Sequence, residues 1–355
     1  MANYKLIVIS QAFNAYDDIL DVRSPAEYAD DHIPGAINVP VLNDEERVRI
    51  GTLYKQVSPF EAKKLGAALI ARNISQHLEN QFLDRPKSWR PLVYCWRGGM
   101  RSGAMAHILA QVGWHTAQLE GGYKSYRRHV VTSLETLPQQ FNFCVISGST
   151  GSGKSHLLHA LAEAGAQVLD LEKLAQHRGS LLGRLPDQAQ PSQKTFETRL
   201  WDVLRTFTPN HPVYIEAESR KVGVLSLPNA LVESMRASAV IRLEVPQDVR
   251  VKFLIDDYAH FLQTPSLLID RLPLLVEHHG HEVTNRWCDL ARQGEWAILV
   301  GELLGQHYDP AYKRSSGMGF QPVDQAKVLK LNALSSASLG KVAADLIQNE
   351  RQNND

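Results

Sequence analysis

The stretch Tyr94-Cys95-Trp96-Arg97-Gly98-Gly99-Met100-Arg101-Ser102 decides how the first half of the chain is read. Leu92, Val93 and Tyr94 form a short buried-strand pattern, and Met105, Ile108, Leu109 and Val112 recur at helical spacing after Ser102. A lone thiol therefore sits where a strand hands over to a helix N-terminus. Unpaired backbone N–H groups converge there, and the helix dipole favours negative charge. Arg97 and Arg101 add full positive charge. These three effects favour the thiolate, the nucleophilic form of cysteine. The same nest of donors would hold an oxyanion or a persulfide-like anion. The alternative is a buried inert cysteine before a turn, and two arginines and two glycines in the next six residues argue against it.

The remaining composition bounds the class. The chain has 355 residues, room for two domains, with 38 Lys plus Arg against 38 Asp plus Glu. Zero net charge excludes a uniformly basic nucleic-acid coat but not a local basic patch. Met1 to Ser10 lacks the long apolar region and small-residue cleavage site of a secretory signal, and no stretch has the apolar length of a membrane span. The three cysteines, Cys95, Cys144 and Cys288, are far apart and form no CxxC pair. They give neither a disulfide framework nor a cysteine-rich zinc site. A cytoplasmic protein with no membrane partner is expected.

Outward from the thiol loop toward the N-terminus, Lys5 to Ile9 and Ile19 to Arg23 read as strands. Ser24-Pro25-Ala26-Glu27-Tyr28 reads as a capped helix start, with Pro25 in the first helical position and Glu27 completing a capping box. Asp21-Val22-Arg23, Glu27-Tyr28 and His32-Ile33-Pro34-Gly35-Ala36-Ile37-Asn38 resemble the N-terminal signature of rhodanese domains, and Cys95 to Ser102 falls where that family keeps its active-site loop. The resemblance implies a persulfide or perselenide carrier at Cys95, loop anion stabilisation by Arg97 and Arg101, and structural roles for Asp21 and Arg23. Residues 42–90 form an insertion carrying Lys55, Lys63, Lys64, Arg72, Arg85, Lys87 and Arg90. It reads either as a solvated helix face or as part of a basic surface beside the thiol. After a strand in Trp114 to Leu119, Gly121-Gly122-Tyr123-Lys124-Ser125-Tyr126-Arg127-Arg128 allows two readings. One is a linker helix with solvated charges. The other is a surface on which Lys124, Arg127 and Arg128 meet nucleic-acid phosphates while the tyrosines stack on bases.

In the second half, Phe141 to Ser147 is a buried-strand pattern that runs into Gly148-Ser149-Thr150-Gly151-Ser152-Gly153-Lys154-Ser155, with helical sequence from His156 to Ala164. This is a complete G-x-x-x-x-G-K-S phosphate loop in its required strand–loop–helix context. Backbone N–H groups cradle a phosphate, Lys154 supplies a point charge, and Ser155 would ligate magnesium if magnesium is used. Val168 to Glu172 reads as the next strand, ending in acids, and His177-Arg178-Gly179-Ser180 and Gly183 as a segment facing the bound group. The apolar stripe of the helix Gln193 to Phe207 (Phe196, Leu200, Trp201, Leu204, Phe207) reads as core before lipid groove. His211 to Arg220 occupies the Walker B place with Glu216 or Glu218 instead of aspartate, which weakens a reading as ordinary ATP hydrolysis. Cys144 reads as a small core residue, and Glu277-His278-His279-Gly280-His281-Glu282 as an exposed turn without metal-ligand spacing.

The fold class expected is α/β: a rhodanese-like α/β domain (1–130), a linker (131–140), a P-loop NTPase-like parallel-sheet core (141–246), and a mainly helical extension with a closing segment (247–355). A rhodanese signature and a P-loop in this order resemble the bacterial tRNA 2-selenouridine synthase family. That resemblance covers both halves and also rests on Leu171 to Gly183 and Glu216-Ala217-Glu218-Ser219-Arg220. It implies a transferase that converts wobble 2-thiouridine in a tRNA anticodon loop to 2-selenouridine. The route implied passes through S-geranyl-2-thiouridine and uses geranyl diphosphate and selenophosphate, with Cys95 as selenium carrier. It implies no tightly bound cofactor, optional magnesium, and a selenophosphate supplier as a further partner. Two rivals remain: an ATP-dependent tRNA sulfurtransferase, and a nucleotide-gated, non-catalytic rhodanese regulatory module.

Overall fold

The structure is a computed structural model that describes residues 4–8, 13–178, 189–316 and 326–354. The chain divides into two compact units, Met1–Leu134 with Pro191–Asp202, and Glu135–Gln190 with Val203–Asp355.

The first unit holds a five-stranded sheet in which every pairing is parallel. Its strands are β1 (Lys5–Ile7), β2 (Asp18–Asp21), β3 (Ala36–Asn38), β4 (Pro91–Tyr94) and β5 (Ala117–Leu119), in the order β1-β5-β4-β2-β3. Strands buried on both faces read as continuous apolar runs; β4 is buried along its whole length. β4 is central, and the chain leaves it toward β5 on one side while β2 and β3 lie on the other. Such a divergence opens a crevice beyond the strand ends, where open α/β sheets bind ligands. Cys95 is the next residue.

Helix α1 (Pro25–Asp30) starts with the Ser24 N–H donating to Glu27 Oε2 at 3.2 Å, so Glu27 caps as its position suggests. The insertion is a pair of helices, α2 (Asp44–Gln56) and α3 (Pro59–His77). α2 buries none of its residues, whereas α3 buries Ala62, Gly66, Leu69 and Ile74. α4 (Met100–Val112) follows the thiol loop and stops at Gly113, whose φ of 107° is a left-handed helix end. α5 (Gly122–Leu134) runs into the start of the expected linker and buries Tyr123, Tyr126, Val130 and Leu134. The two tyrosines are thus core residues, which removes them as base-stacking platforms. Pro191–Asp202 also counts with this unit.

The second unit is built on β6 (Phe143–Gly148), β7 (Gln167–Leu169), β8 (Val213–Glu216), β11 (Ala239–Glu244) and β12 (Lys327–Lys330), with the short antiparallel pair β9 (Lys221–Val222) and β10 (Leu225–Ser226) apart. Its sheet is parallel in the order β12-β11-β6-β8-β7. β6 lies at the centre, with the next strands in sequence on one side and later ones on the other, so the loop after β6 sits at the switch point. Its helices are α6 (Lys154–Glu163), α7 (Leu171–Ala175), α9 (Asn229–Arg236), α10 (Gln247–Asp257), α11 (Ala259–Gln263), α12 (Ser266–Ile269), α13 (Val276–Gln293), α14 (Trp296–Glu302), α15 (Asp309–Ser316) and α16 (Ser336–Asn354), whereas α8 (Gln193–Leu204) lies mostly in the first unit.

Three local expectations change. Strand β7 ends at Leu169, because the Asp170 side chain accepts from Lys173 N–H at 2.8 Å and caps α7, which places Glu172 on a helix. The Glu277–Glu282 stretch is not a turn: it lies in α13, kinked at Gly280 (φ 77°, ψ 171°), and His279 Nε2 lies 3.0 Å from His307 Nδ1. The extension also contributes β12 to the sheet edge. Ile9 of the first expected strand, and Gly179, Ser180 and Gly183, lie outside the described residues.

Candidate functional site

The thiol loop is closed by backbone. Tyr123 N–H donates to Cys95 O at 2.8 Å and Lys124 N–H to Trp96 O at 2.9 Å, pinning the loop to the start of α5. This approach needs glycine. A Cβ on Gly122 (φ +55°) would lie 2.1 Å from Cys95 O, and one on Gly98 (φ +65°) would lie 2.6 Å from Leu119 O. Cys95 itself is 3% exposed. Ser102 Oγ lies 3.1 Å from Cys95 Sγ, nearer than its other acceptor, Gly99 O, at 3.3 Å. Gln118 Nε2 donates to that hydroxyl at 2.8 Å and to Gly98 O at 2.9 Å, so an O–H is held on the sulfur. Neither partner was marked from sequence as a site residue. Ser102 stood in the quoted loop, one helical turn beyond Gly98. Gln118, a polar residue at a buried strand position, was the available signal.

The two loop arginines are used differently. Arg97 is exposed and has no hydrogen-bond or ion-pair partner among the described residues. Arg101 donates to Glu27 at 2.6 Å and is 14% exposed, so its charge is shared with a carboxylate on α1. Burial pushes the Glu27 carboxyl up, but the Arg101 hydrogen bonds and charge, with the Ser24 N–H and Arg47, outweigh it and hold the group below its ordinary value. Of the basic residues on α5, Lys124 and Arg128 are exposed, whereas Arg127 is paired with Glu197.

Asp21 and Arg23 lie beneath the loop. They are 0% and 1% exposed and paired at 2.6 Å, and Arg23 also donates to Asp31 O at 2.6 Å and stacks 4.0 Å from the Tyr123 ring centroid. Tyr94 OH donates to Asp21 Oδ2 at 2.7 Å across the β2–β4 register that sets Asp21 beside Tyr94. Tyr123 OH and Thr198 Oγ1 both donate to Asp31 Oδ2, at 2.7 and 3.0 Å. This buried network fixes strand ends and α5. It touches no reacting atom.

In the second unit the loop Gly148–Ser155 turns through left-handed glycines, Gly151 (φ 77°) and Gly153 (φ 78°), into α6. Lys154 Nζ folds back to Gly148 O at 2.8 Å, and Ser155 Oγ donates to Glu172 Oε2 at 2.7 Å. Glu172 N–H in turn donates to Glu216 Oε1 at 2.7 Å. Glu216 is 1% exposed, and its Oε2 has no hydrogen-bond partner. Arg250 on α10 donates to Thr150 O at 3.1 Å while forming a two-pronged pair with Asp309, both contacts at 2.8 Å. It braces the loop from outside.

Burial raises the Glu216 carboxyl well above the ordinary range, helped by the charges of Asp170 and Glu172. Burial also raises Glu172, against the Ser155 hydrogen bond. Glu218 is pushed up to about 7 by burial and then by Glu172. Burial pulls Lys154 below the ordinary lysine value, opposed by Glu172, Glu218 and Glu216. Carboxyls whose burial favours the protonated form, around a lysine and an amide-lined loop, suit an incoming polyanion.

Magnesium fits this donor set in part. Ser155 and Glu172 already converge, and Glu216 Oε2 is an orphaned oxygen. Among the described residues no group of three or more His, Cys, Asp or Glu is arranged to hold a metal ion, so phosphate and water would supply the rest of the shell. Glu172 and Arg250 were not on the sequence-derived site list. Both reach the loop from elements whose neighbours are set by strand order.

A loop thiol at the end of one parallel sheet and a G-x-x-x-x-G-K-S loop at the centre of a second define a two-unit α/β protein. A rhodanese-like domain family model matches residues 8–129, and one described as the tRNA 2-selenouridine synthase AAA domain matches residues 141–268. The chain is 37% identical over 261 residues to the tRNA 2-selenouridine synthase of Nitrosomonas europaea, covering 72% of this chain and 67% of that protein. It is 36% identical to that of Nitrosomonas eutropha, covering 70% and 65% respectively. It is 37% identical over 331 residues to that of Sulfurovum sp. (strain NBC37-1), covering 83% of this chain and 87% of that protein. The chain belongs to the tRNA 2-selenouridine synthase family. No described helix is long and apolar enough to cross a membrane.

Proposed function

We propose that the protein replaces sulfur by selenium in wobble 2-thiouridine of tRNA in two steps. First, the thiocarbonyl sulfur attacks the allylic carbon of geranyl diphosphate; the C–S bond forms, the C–O bond breaks, and diphosphate leaves. Alkylation turns a poor leaving group into a good one. Second, the selenide-level selenium of selenophosphate attacks the base carbon: the C–Se bond forms, the C–S bond to the geranylthio group breaks, and water takes the phosphoryl group as phosphate, with Cys95 holding the incoming selenium at the loop. A selenophosphate-supplying enzyme would be a functional partner.

Membership of this family carries the reading. It is supported by the fact that both anion sites are intact: a thiol with an O–H held on it, and a phosphate loop with Lys154 and Ser155 in place. Glu216 and Glu218 stand where a nucleotide-hydrolysing site would carry an aspartate. The loop is therefore assigned to the diphosphate leaving group. Arg97, Lys124 and Arg128, exposed and without ion-pair partners among the described residues, are assigned to tRNA phosphates.

The test is mass analysis of wobble nucleosides after incubation with thiolated tRNA, with and without geranyl diphosphate and selenophosphate. Cys95→Ala should stop the reaction at the geranylated nucleoside. Formation of 2-selenouridine by Cys95→Ala, or by the native protein without geranyl diphosphate, would refute the scheme.

A further inference from the structure

Gln118 stands in the middle of β5, in register with Val93 on β4 and Leu6 on β1, in a strand whose other two residues are apolar. It is 3% exposed. A polar side chain buried there costs stability unless its hydrogen bonds are made, whereas an apolar side chain of similar shape would need none. The amide spends its bonds on the thiol loop. Nε2 donates to Ser102 Oγ at 2.8 Å, to Gly98 O at 2.9 Å and more weakly to Gly99 O at 3.3 Å. The direction of each bond follows from donor counting. The two carbonyl oxygens can only accept, so the end of the amide they meet carries the N–H groups. Ser102 Oγ therefore accepts from Gln118, and its own proton must go elsewhere. Two acceptors are within reach, Cys95 Sγ at 3.1 Å and Gly99 O at 3.3 Å. Gly99 O is already supplied by Gly103 N–H at 2.9 Å as well as by Gln118. Cys95 Sγ has no other hydrogen-bond donor among the described residues.

We infer that Gln118 is a positioning residue of the thiol site: by filling the acceptor side of Ser102 it commits the serine proton to Cys95 Sγ, and so to the negative charge that sulfur bears when it reacts. The inference rests on Cys95 being the reacting thiol and concerns what sets its reactivity. The chain N–H···O–H···S is cooperative, since each hydrogen bond polarises the next. The bond to Gly98 O adds a second effect. In a trans peptide the N–H of Gly99 points away from the Gly98 carbonyl, so holding that carbonyl from β5 turns the N–H to the other side of the loop. There it has no acceptor among the described residues and is free to meet an anion. Without the Gln118 amide the hydroxyl can rotate, and the sulfur loses the one donor aimed at it.

Alkylation of Cys95 by iodoacetamide in the full-length protein, followed by peptide mass as a function of pH, tests this. Gln118→Met keeps the length and bulk of the side chain and removes its N–H groups. It should slow alkylation about three- to tenfold at neutral pH, with native and variant rates converging in alkali, where the thiol is ionised in both. Gln118→Glu, the closest in shape, should do no better than Gln118→Met, because a carboxyl lacks the pair of N–H groups. Ser102→Ala should slow alkylation at least as much, and adding Gln118→Met to it should cost little more. The charges about the loop, Arg97, the Arg101–Glu27 pair and the buried Asp21–Arg23 pair, are the same in every variant. A native rate in Gln118→Met, a loss that persists in alkali, or losses that multiply in the double variant overturn the assignment. Formation of 2-selenouridine should rank the variants in the same order. If alkylation ranks them so and 2-selenouridine formation does not, the carrier reading of Cys95 fails while the assignment of Gln118 stands.

Discussion

Replacing Gly122 by alanine should disable the thiol loop by displacing backbone. The added Cβ would meet Cys95 O at 2.1 Å and Gly98 N at 2.5 Å, both main-chain atoms that no rotamer change can clear. An ordinary C···O contact is about 3.3 Å, so the Cys95 carbonyl must retreat by roughly 1.2 Å. That breaks its 2.8 Å hydrogen bond from Tyr123 N–H and shifts the sulfur off the Ser102 hydroxyl, now at 3.1 Å. Left-handed strain at a residue with a Cβ adds about 1–2 kcal/mol, and the lost hydrogen bond about 1 kcal/mol. A stability loss of roughly 2–3 kcal/mol follows from those two terms, and a misplacement near 1 Å lowers selenium transfer by about 10²-fold. Gly113→Ala is the control. Its φ is +107° but nothing lies within 4 Å of a Cβ there, so it carries the strain without the clash. The assays are urea unfolding, the alkylation rate of Cys95, and nucleoside mass analysis. If Gly122→Ala matches Gly113→Ala in all three, the close backbone approach does not hold the thiol in place.

Other outcomes follow from the same geometry. Lys154→Ala should weaken pyrophosphate binding at least tenfold by calorimetry and slow geranylation, while Cys95 alkylation stays unchanged. Asp21→Asn should cost about 3–5 kcal/mol in urea unfolding, because it leaves a buried arginine uncompensated; a loss below 1 kcal/mol would mean Arg23 finds another partner. Glu218 has a folded-state pKa near 7, above its unfolded value, so the stability it contributes is present at acid pH and lost as pH rises through about 7. Its ionisation should also weaken diphosphate binding above that pH, and Glu218→Gln should flatten both profiles. Parallel profiles for native and variant would assign the effect elsewhere. Arg97→Ala combined with Lys124→Ala should lower tRNA affinity and shallow its salt dependence by about two; an unchanged slope would place the tRNA on another surface.

Both sites were legible where a few consecutive residues fix the local structure. Strand, loop and helix succeed one another at Cys95 and at Gly148–Ser155, and glycines mark the turns. What escaped depends on distant pairing. Glu172 meets Ser155 only because Asp170 ends a strand by capping a helix, and because β8 rather than β7 lies beside β6, bringing Glu216 to the Glu172 amide. Arg250 reaches Thr150 from an unremarkable position in α10. Arg101 looked free in the loop, and its Glu27 partner stands on α1, far back in sequence. The tyrosines of α5 were a readable miss: Tyr123, Tyr126, Val130 and Leu134 repeat at helical spacing, which marks a core face and not a stacking platform.

The first unit owns a second piece of chain, Pro191–Asp202, whose Glu197 pairs with Arg127 and whose Thr198 donates to Asp31. Its fold is therefore written discontinuously along the gene. On the ribosome, that unit cannot finish until synthesis has passed Glu135–Gln190 of its neighbour and then Pro191–Asp202 itself, a wait of several seconds at roughly 5–20 residues per second. Maturation of the unit that bears Cys95 is thereby tied to synthesis of the unit that bears Gly148–Ser155. A fragment ending near residue 134 would emerge with Asp31 and Arg127 short of partners, and a graft exchanging the halves at that boundary would strand the clasp with the wrong half.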